Sequence, residues 1–148
     1  MALIEGEYEP SPWAWVREQV ETYARTGGRE ANTLRETGLP VIILTTKGNK
    51  SGKVRKTPLM RVEHGGEYAL VASMGGAPKH PVWYHNLRSN PVAMIQDGPT
   101  PMNVDVRELI GDERATWWNR ATAAFPSYAD YQKGTNRVIP VFLAQPRR

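Results

Sequence analysis

The stretch Phe125-Pro126-Ser127-Tyr128-Ala129-Asp130-Tyr131 sets two phenols three positions apart. On a helix that spacing brings both side chains to one face. A buried phenol is a good hydrogen-bond and proton donor to a developing oxyanion, although tyrosine pairs also serve simply as packing residues. A second chemically promising region is Lys47-Gly48-Asn49-Lys50-Ser51-Gly52-Lys53-Val54-Arg55-Lys56-Thr57-Pro58. Its glycines let backbone N–H groups approach a ligand. Lys50, Ser51 and Arg55 add charged and hydroxyl donors beside them, a set suited to a phosphate. The segment is no Walker loop, because neither the spacing nor a following helix is present. On charge alone, a solvated hairpin tip with lysines guarding a sheet edge is the commoner arrangement.

Two further segments follow. Ala72-Ser73-Met74-Gly75-Gly76 comes directly after a predicted strand, where a rigid frame can present polar groups to a ligand; its plain alternative is an ordinary glycine turn. In Pro81-Val82-Trp83-Tyr84-His85-Asn86-Leu87-Arg88, helical spacing puts Trp83 with Leu87 and Val82 with Asn86. An aromatic ring beside an amide would line a ring-shaped cofactor; equally, Trp83 and Leu87 would be core. His64, His80 and His85 form no ligand set, since the last two are five apart, outside helical register. No metal site and no GxSxG nucleophile elbow is read.

These segments need a frame. Ser11-Pro12 opens a helix as cap and first position, Trp13, Val16, Val20 and Tyr23 recur along it, and Gly27-Gly28 stops it. Residues 29–38 are polar and irregular. Strands are predicted over 41–46, 54–63, 67–73, 92–96, 102–110 and 138–144, from β-branched runs and alternation bounded by Gly, Asn and Pro turns. Helices are predicted over 81–89, 111–125 and 127–133. Six strands with inserted helices indicate an α+β fold built on an antiparallel barrel or strongly curled sheet. Residues 1–10 read as a flexible acidic leader and residues 11–148 as one domain.

Composition narrows the function. With 148 residues a single domain is the natural size, and the absence of cysteine removes disulfides, thiolate metal sites and cysteine nucleophiles. That composition suits a reducing cytoplasm. The longest apolar run, Leu39 to Leu44, is too short to span a bilayer. Between Glu36 and Glu63 lie six basic residues (Lys47, Lys50, Lys53, Arg55, Lys56, Arg61) and no acid, while the net charge of the whole chain is only +4. So local a block implies an anionic partner at a defined place.

Together, TTKGNKSGKVRKTPL, VASMGGAPKHPVWYHNLRSNP, FPSYADYQ and RVIPVFL resemble the deazaflavin (F420)-dependent nitroreductase family of actinobacterial split-barrel enzymes, over roughly residues 38–143. The resemblance implies a six-stranded antiparallel split β-barrel with flanking helices, coenzyme F420, and hydride transfer from reduced deazaflavin to an organic acceptor. By position, Lys50, Ser51 and Arg55, with Thr57 and Pro58, would hold the coenzyme's phosphate and side chain. Ser73, Met74, Gly75 and Gly76 would run along the deazaflavin, and Lys79, Val82, Trp83 and Asn86 would line its groove. Tyr128, helped by Ser73, would stabilise and protonate the reduced acceptor, with Tyr131 closing the pocket. Relatives that activate nitroimidazoles carry tyrosines where this chain has Met60 and Phe125. The loss of two phenols makes the acceptor pocket more apolar and favours a quinone or enone over a nitro compound.

Other classes remain in view. A flavin mononucleotide enzyme on the same barrel, or a non-catalytic deazaflavin carrier, would use a similar frame. A nucleic-acid barrel would place aromatics among its lysines, and none lies between Lys47 and Arg61. Trp13 and Trp15 would suit peripheral membrane contact; the face with Val16, Val20 and Tyr23 fits packing on the barrel or on a second subunit better. The acceptor is expected to be a small molecule and the protein a monomer or homodimer.

Overall fold

The computed structural model describes residues 3–34 and 37–147; those parts of the predicted leader, polar stretch and tail that fall on residues 1, 2, 35, 36 and 148 lie outside them. Seven strands are present: β1 (Val41–Lys47), β2 (Val54–Met60), β3 (Glu63–His64), β4 (Glu67–Val71), β5 (Val92–Gln96), β6 (Pro101–Glu108) and β7 (Val141–Pro146). They form one antiparallel sheet in the order β2-β1-β5-β6-β7-β4-β3. Four helices pack around it: α1 (Ala14–Thr26), α2 (Val82–Ser89), α3 (Gly111–Ala124) and α4 (Ser127–Lys133), with a single 3₁₀ turn at Met74–Gly76.

The sheet is curled and covered on both faces. Ile42 and Leu44 of β1 pack with Leu70, Ile95, Val104 and Phe142 in a barrel interior that α2 caps through Trp83 and Leu87. The alternate residues Val41 and Ile43 face a second cluster with Val20 and Tyr23 of α1, Trp117 and Ala121 of α3, and Phe125 and Tyr128. Burial on both faces is why β1 reads as a continuous apolar run instead of an alternating one. The left-handed Gly27 (φ 62°) ends α1, as its sequence implies.

Four expectations are corrected. The sheet has seven strands, because the predicted strand 54–63 ends at Met60 and Glu63–His64 pairs separately with Tyr68 and Glu67. The last strand begins at Val141, three residues late; Pro140 has no N–H to donate, and its carbonyl accepts instead from the Ala72 N–H at 2.9 Å. Helix α1 starts at Ala14, with Ser11 Oγ accepting from the Trp13 N–H at 3.2 Å. Finally, the described part of the leader is held against the barrel: Val54 N donates to Glu7 O (2.8 Å), Glu9 N donates to Val54 O (2.9 Å), and Ile4 is buried.

Candidate active site

A cleft of about 700 Å³ opens beside the edge strand β2, within the size range of cofactor and ligand sites. One wall is β2 itself, from Arg55 through Met60. Facing it are Ser73, Met74 and Gly75; α2 contributes Val82, Trp83 and Asn86, α4 contributes Tyr128 and Tyr131, Phe125 comes from the end of α3, and the start of α1 closes the mouth. Residues from five distant stretches of sequence thus meet in one concavity.

Its two ends differ in chemistry. At the basic end, Asn86 locks α2 to the glycine-lysine turn: its Nδ2 donates to Thr46 Oγ1 at 3.1 Å, and its Oδ1 accepts from the Asn49 N–H at 3.0 Å. Both Asn86 and Thr46 are buried, so the amide's polar groups are satisfied inside the protein while its position borders the cleft. The Arg55 guanidinium is ion-paired with Glu9, and Lys53 Nζ lies 3.7 Å from Glu9 and 3.8 Å from Glu7. Lys56 sits over the Tyr8 ring, 5.4 Å from its centroid. The acidic leader therefore neutralises much of the basic edge.

At the apolar end the aromatic rings interlock. Phe125 meets Tyr128 edge-on at 5.0 Å between centroids and Tyr131 at 6.0 Å, and Tyr128 lies 6.3 Å from Tyr131. Burial first, and the neighbouring Tyr131 second, push the Tyr128 phenol well above the ordinary tyrosine range. It is a hydrogen-bond donor at any working pH and not a base. Although Tyr128 and Ser73 are only 4% and 8% exposed, neither hydroxyl has a hydrogen-bond partner among the described residues, and both line the cleft. Both hydroxyls open into the cleft, so each is free to hydrogen-bond a ligand or water there.

Most predicted site residues converge. Arg55, Thr57, Pro58, Ser73, Met74, Gly75, Val82, Trp83 and Asn86 line the cleft, as do Met60, Phe125, Tyr128 and Tyr131. Lys50, Ser51, Gly76 and Lys79 do not. Ser51 closes its own turn by accepting from the Lys53 N–H at 3.1 Å. Lys50 and Lys79 are exposed outside the cleft. Gly76 is pressed against α4, where a Cβ on it would lie 2.9 Å from the Tyr131 carbonyl oxygen. Sequence reasoning missed the α1 wall, made by Ser11, Pro12, Trp13, Trp15 and Val16. Its tryptophans gave the only signal, and they border the cleft mouth.

A curled antiparallel sheet whose cleft joins a basic edge to phenol and serine hydroxyls fits the split-barrel class of cofactor-binding oxidoreductases. The family model described as F420H(2)-dependent quinone reductase matches residues 15–146, and the chain belongs to that family; its coenzyme is F420. The F420H(2)-dependent quinone reductase Rv1261c of Mycobacterium tuberculosis is 36% identical over 107 residues, covering 70% of this chain and 72% of the relative. A solved F420-H2 dependent reductase, FDR-A, is 52% identical with a TM-score of 0.68, covering 72% of this chain and 94% of that one. Another solved chain, described as a domain-swapped dimer, is 48% identical with a TM-score of 0.71, covering 91% of this chain and all of that one.

Proposed function

We propose that the cleft binds F420H2 with its ring between the Ser73–Gly75 wall and Trp83, and its anionic side chain toward Arg55 and Lys56, to reduce a quinone held against Met60, Phe125, Tyr128 and Tyr131. When bound, the coenzyme supplies a hydride from its central ring carbon. The protein's residues do the rest. Strand β2 and α2 hold the ring in place, and α1 shields it from water. Tyr128, with Ser73, donates hydrogen bonds to the oxyanion that forms on the reduced quinone and relays to it a proton taken up from solvent, so that the phenol itself stays protonated.

The observation that carries this reading is the pair of hydroxyls, on Tyr128 and Ser73, that have no hydrogen-bond partner among the described residues and open into a cleft whose other walls are mostly apolar. Met60 and Phe125, each 7% exposed, favour an apolar acceptor ring over a nitro group that needs more donors. Trp13 and Trp15 serve here as cleft residues; no helix among the described residues is long and apolar enough to cross a membrane. The swapped dimer formed by a 48% identical chain supports self-association, which light scattering would measure. The direct test is titration of the purified protein with F420, followed by quinone reduction with F420H2. Failure to bind F420 would refute the assignment of the cleft, and binding without turnover would leave a coenzyme carrier.

A further inference from the structure

Arg137 precedes β7 and does not line the cleft, yet among the described residues its side chain makes four hydrogen-bonding contacts. Its Nε donates to Ala77 O at 2.8 Å, Nη1 to Ala72 O at 3.0 Å, and Nη2 to Ser73 O at 2.6 Å. Nη1 also lies 3.1 Å from His80 Nδ1. Because a guanidinium has only donors, that ring nitrogen accepts and the imidazole proton sits on Nε2. Four hydrogen bonds from one side chain therefore gather a single segment, residues 72–80.

That segment carries Ser73, Met74 and Gly75 of the cleft wall, and its backbone is costly to hold. Met74, Gly75 and Gly76 lie in succession at φ 47°, 66° and 81°, a region that a methionine enters only with strain. Two internal bonds, Gly76 N to Ser73 O and Ala77 N to Met74 O, do not by themselves specify it. Arg137 is in turn anchored to the helix bearing the phenols: Gln132 Nε2 donates to Arg137 O at 2.9 Å, and Gln132 Oε1 accepts from the Ile139 N–H at 2.9 Å. Gln132 belongs to α4, so one side chain and its clasp join the Ser73–Gly75 wall to the helix of Tyr128 and Tyr131.

We propose that Arg137 is a positioning residue that, beside the direct contact of Gly76 with Tyr131, holds the Ser73–Gly75 wall in place against α4, and with it the alignment of coenzyme and acceptor. The inference rests on the reading of the cleft as the F420H2 site. A lysine at this position would keep the charge and lose the fork that serves several carbonyls at once.

The test compares Arg137→Lys and Arg137→Ala with the wild-type enzyme, using F420 fluorescence titration, steady-state quinone reduction and the isotope effect with deuterium-labelled F420H2. F420 affinity should fall less than kcat, which drops on the order of 100-fold, the loss expected from a misplacement of about 1 Å, and the isotope effect grows. Guanidinium ion should restore part of the Arg137→Ala rate where ammonium does not. Wild-type kcat in folded variants, or rate and F420 affinity falling together in proportion to lost melting temperature, would overturn the positioning role. If Arg137→Ala does not fold, Arg137→Lys carries the same comparison. Failure of the wild-type protein to bind F420 would instead overturn the site reading, and this inference with it.

Discussion

Gly75 and Gly76 are adjacent, share a left-handed backbone, and differ in one respect that an alanine scan can isolate. At Gly75 (φ 66°) an added Cβ meets nothing within 4 Å, whereas at Gly76 (φ 81°) it would sit 2.9 Å from Tyr131 O and 3.1 Å from Tyr131 Cα. Gly75→Ala carries only the left-handed penalty of about 1–2 kcal/mol. Gly76→Ala carries the same penalty plus a backbone collision that α4 must relieve by moving, about 1–3 kcal/mol more by analogy with overpacking. At roughly 2–4 °C per kcal/mol for a chain of this size, Gly75→Ala should lower Tm by about 2–8 °C. Gly76→Ala should lower it by about twice as much. Displacing Tyr131 also shifts Tyr128 one helical turn before it, so quinone reduction should drop more in Gly76→Ala than in Gly75→Ala. Calorimetry and steady-state rates on the two proteins check this. Equal Tm losses, or an unchanged rate in Gly76→Ala, would refute the claim that α4 is seated directly on the glycine turn.

Three other outcomes are expected. Tyr128→Phe should bind F420 as the wild type does and reduce quinone about 100-fold more slowly, the usual cost of losing one oxyanion donor, as stopped-flow absorbance would show. Arg55→Glu should weaken F420 binding, while Glu9→Gln, which releases Arg55, should tighten it by about two- to fivefold at low salt, the worth of a half-exposed ion pair, with the gain fading as salt rises. Burial raises the phenols of Tyr23, Tyr68 and Tyr128 above their ordinary range. The folded state therefore retains protons that the unfolded state releases. Their contribution to stability is complete below about pH 10 and is lost as pH climbs above it, so Tm measured against pH should fall steeply on the alkaline side.

Much of the fold was legible because its signals are local. The β-branched run of β1, the Gly27-Gly28 stop and the helix-spaced tyrosines each act over a few residues, where periodicity and turn chemistry operate. The boundaries that moved did so for reasons of pairing: β3 is defined only by its partner β4, and the start of β7 is delayed by a proline. The site was legible in outline, since the glycine-lysine turn, the Ser73–Gly76 segment and the phenols each stand out by residue type.

By itself, the amino-acid sequence determined the elements, the basic block and the resemblance that named the coenzyme. Tertiary structure alone decided which donors face the cleft. It left Lys50, Ser51 and Lys79 outside. It also set Glu9 on Arg55 across 46 positions and Arg137 on Ser73 across 64. A hydrogen bond or ion pair between distant residues depends on how strands and helices pack, and no local pattern of side chains encodes that geometry.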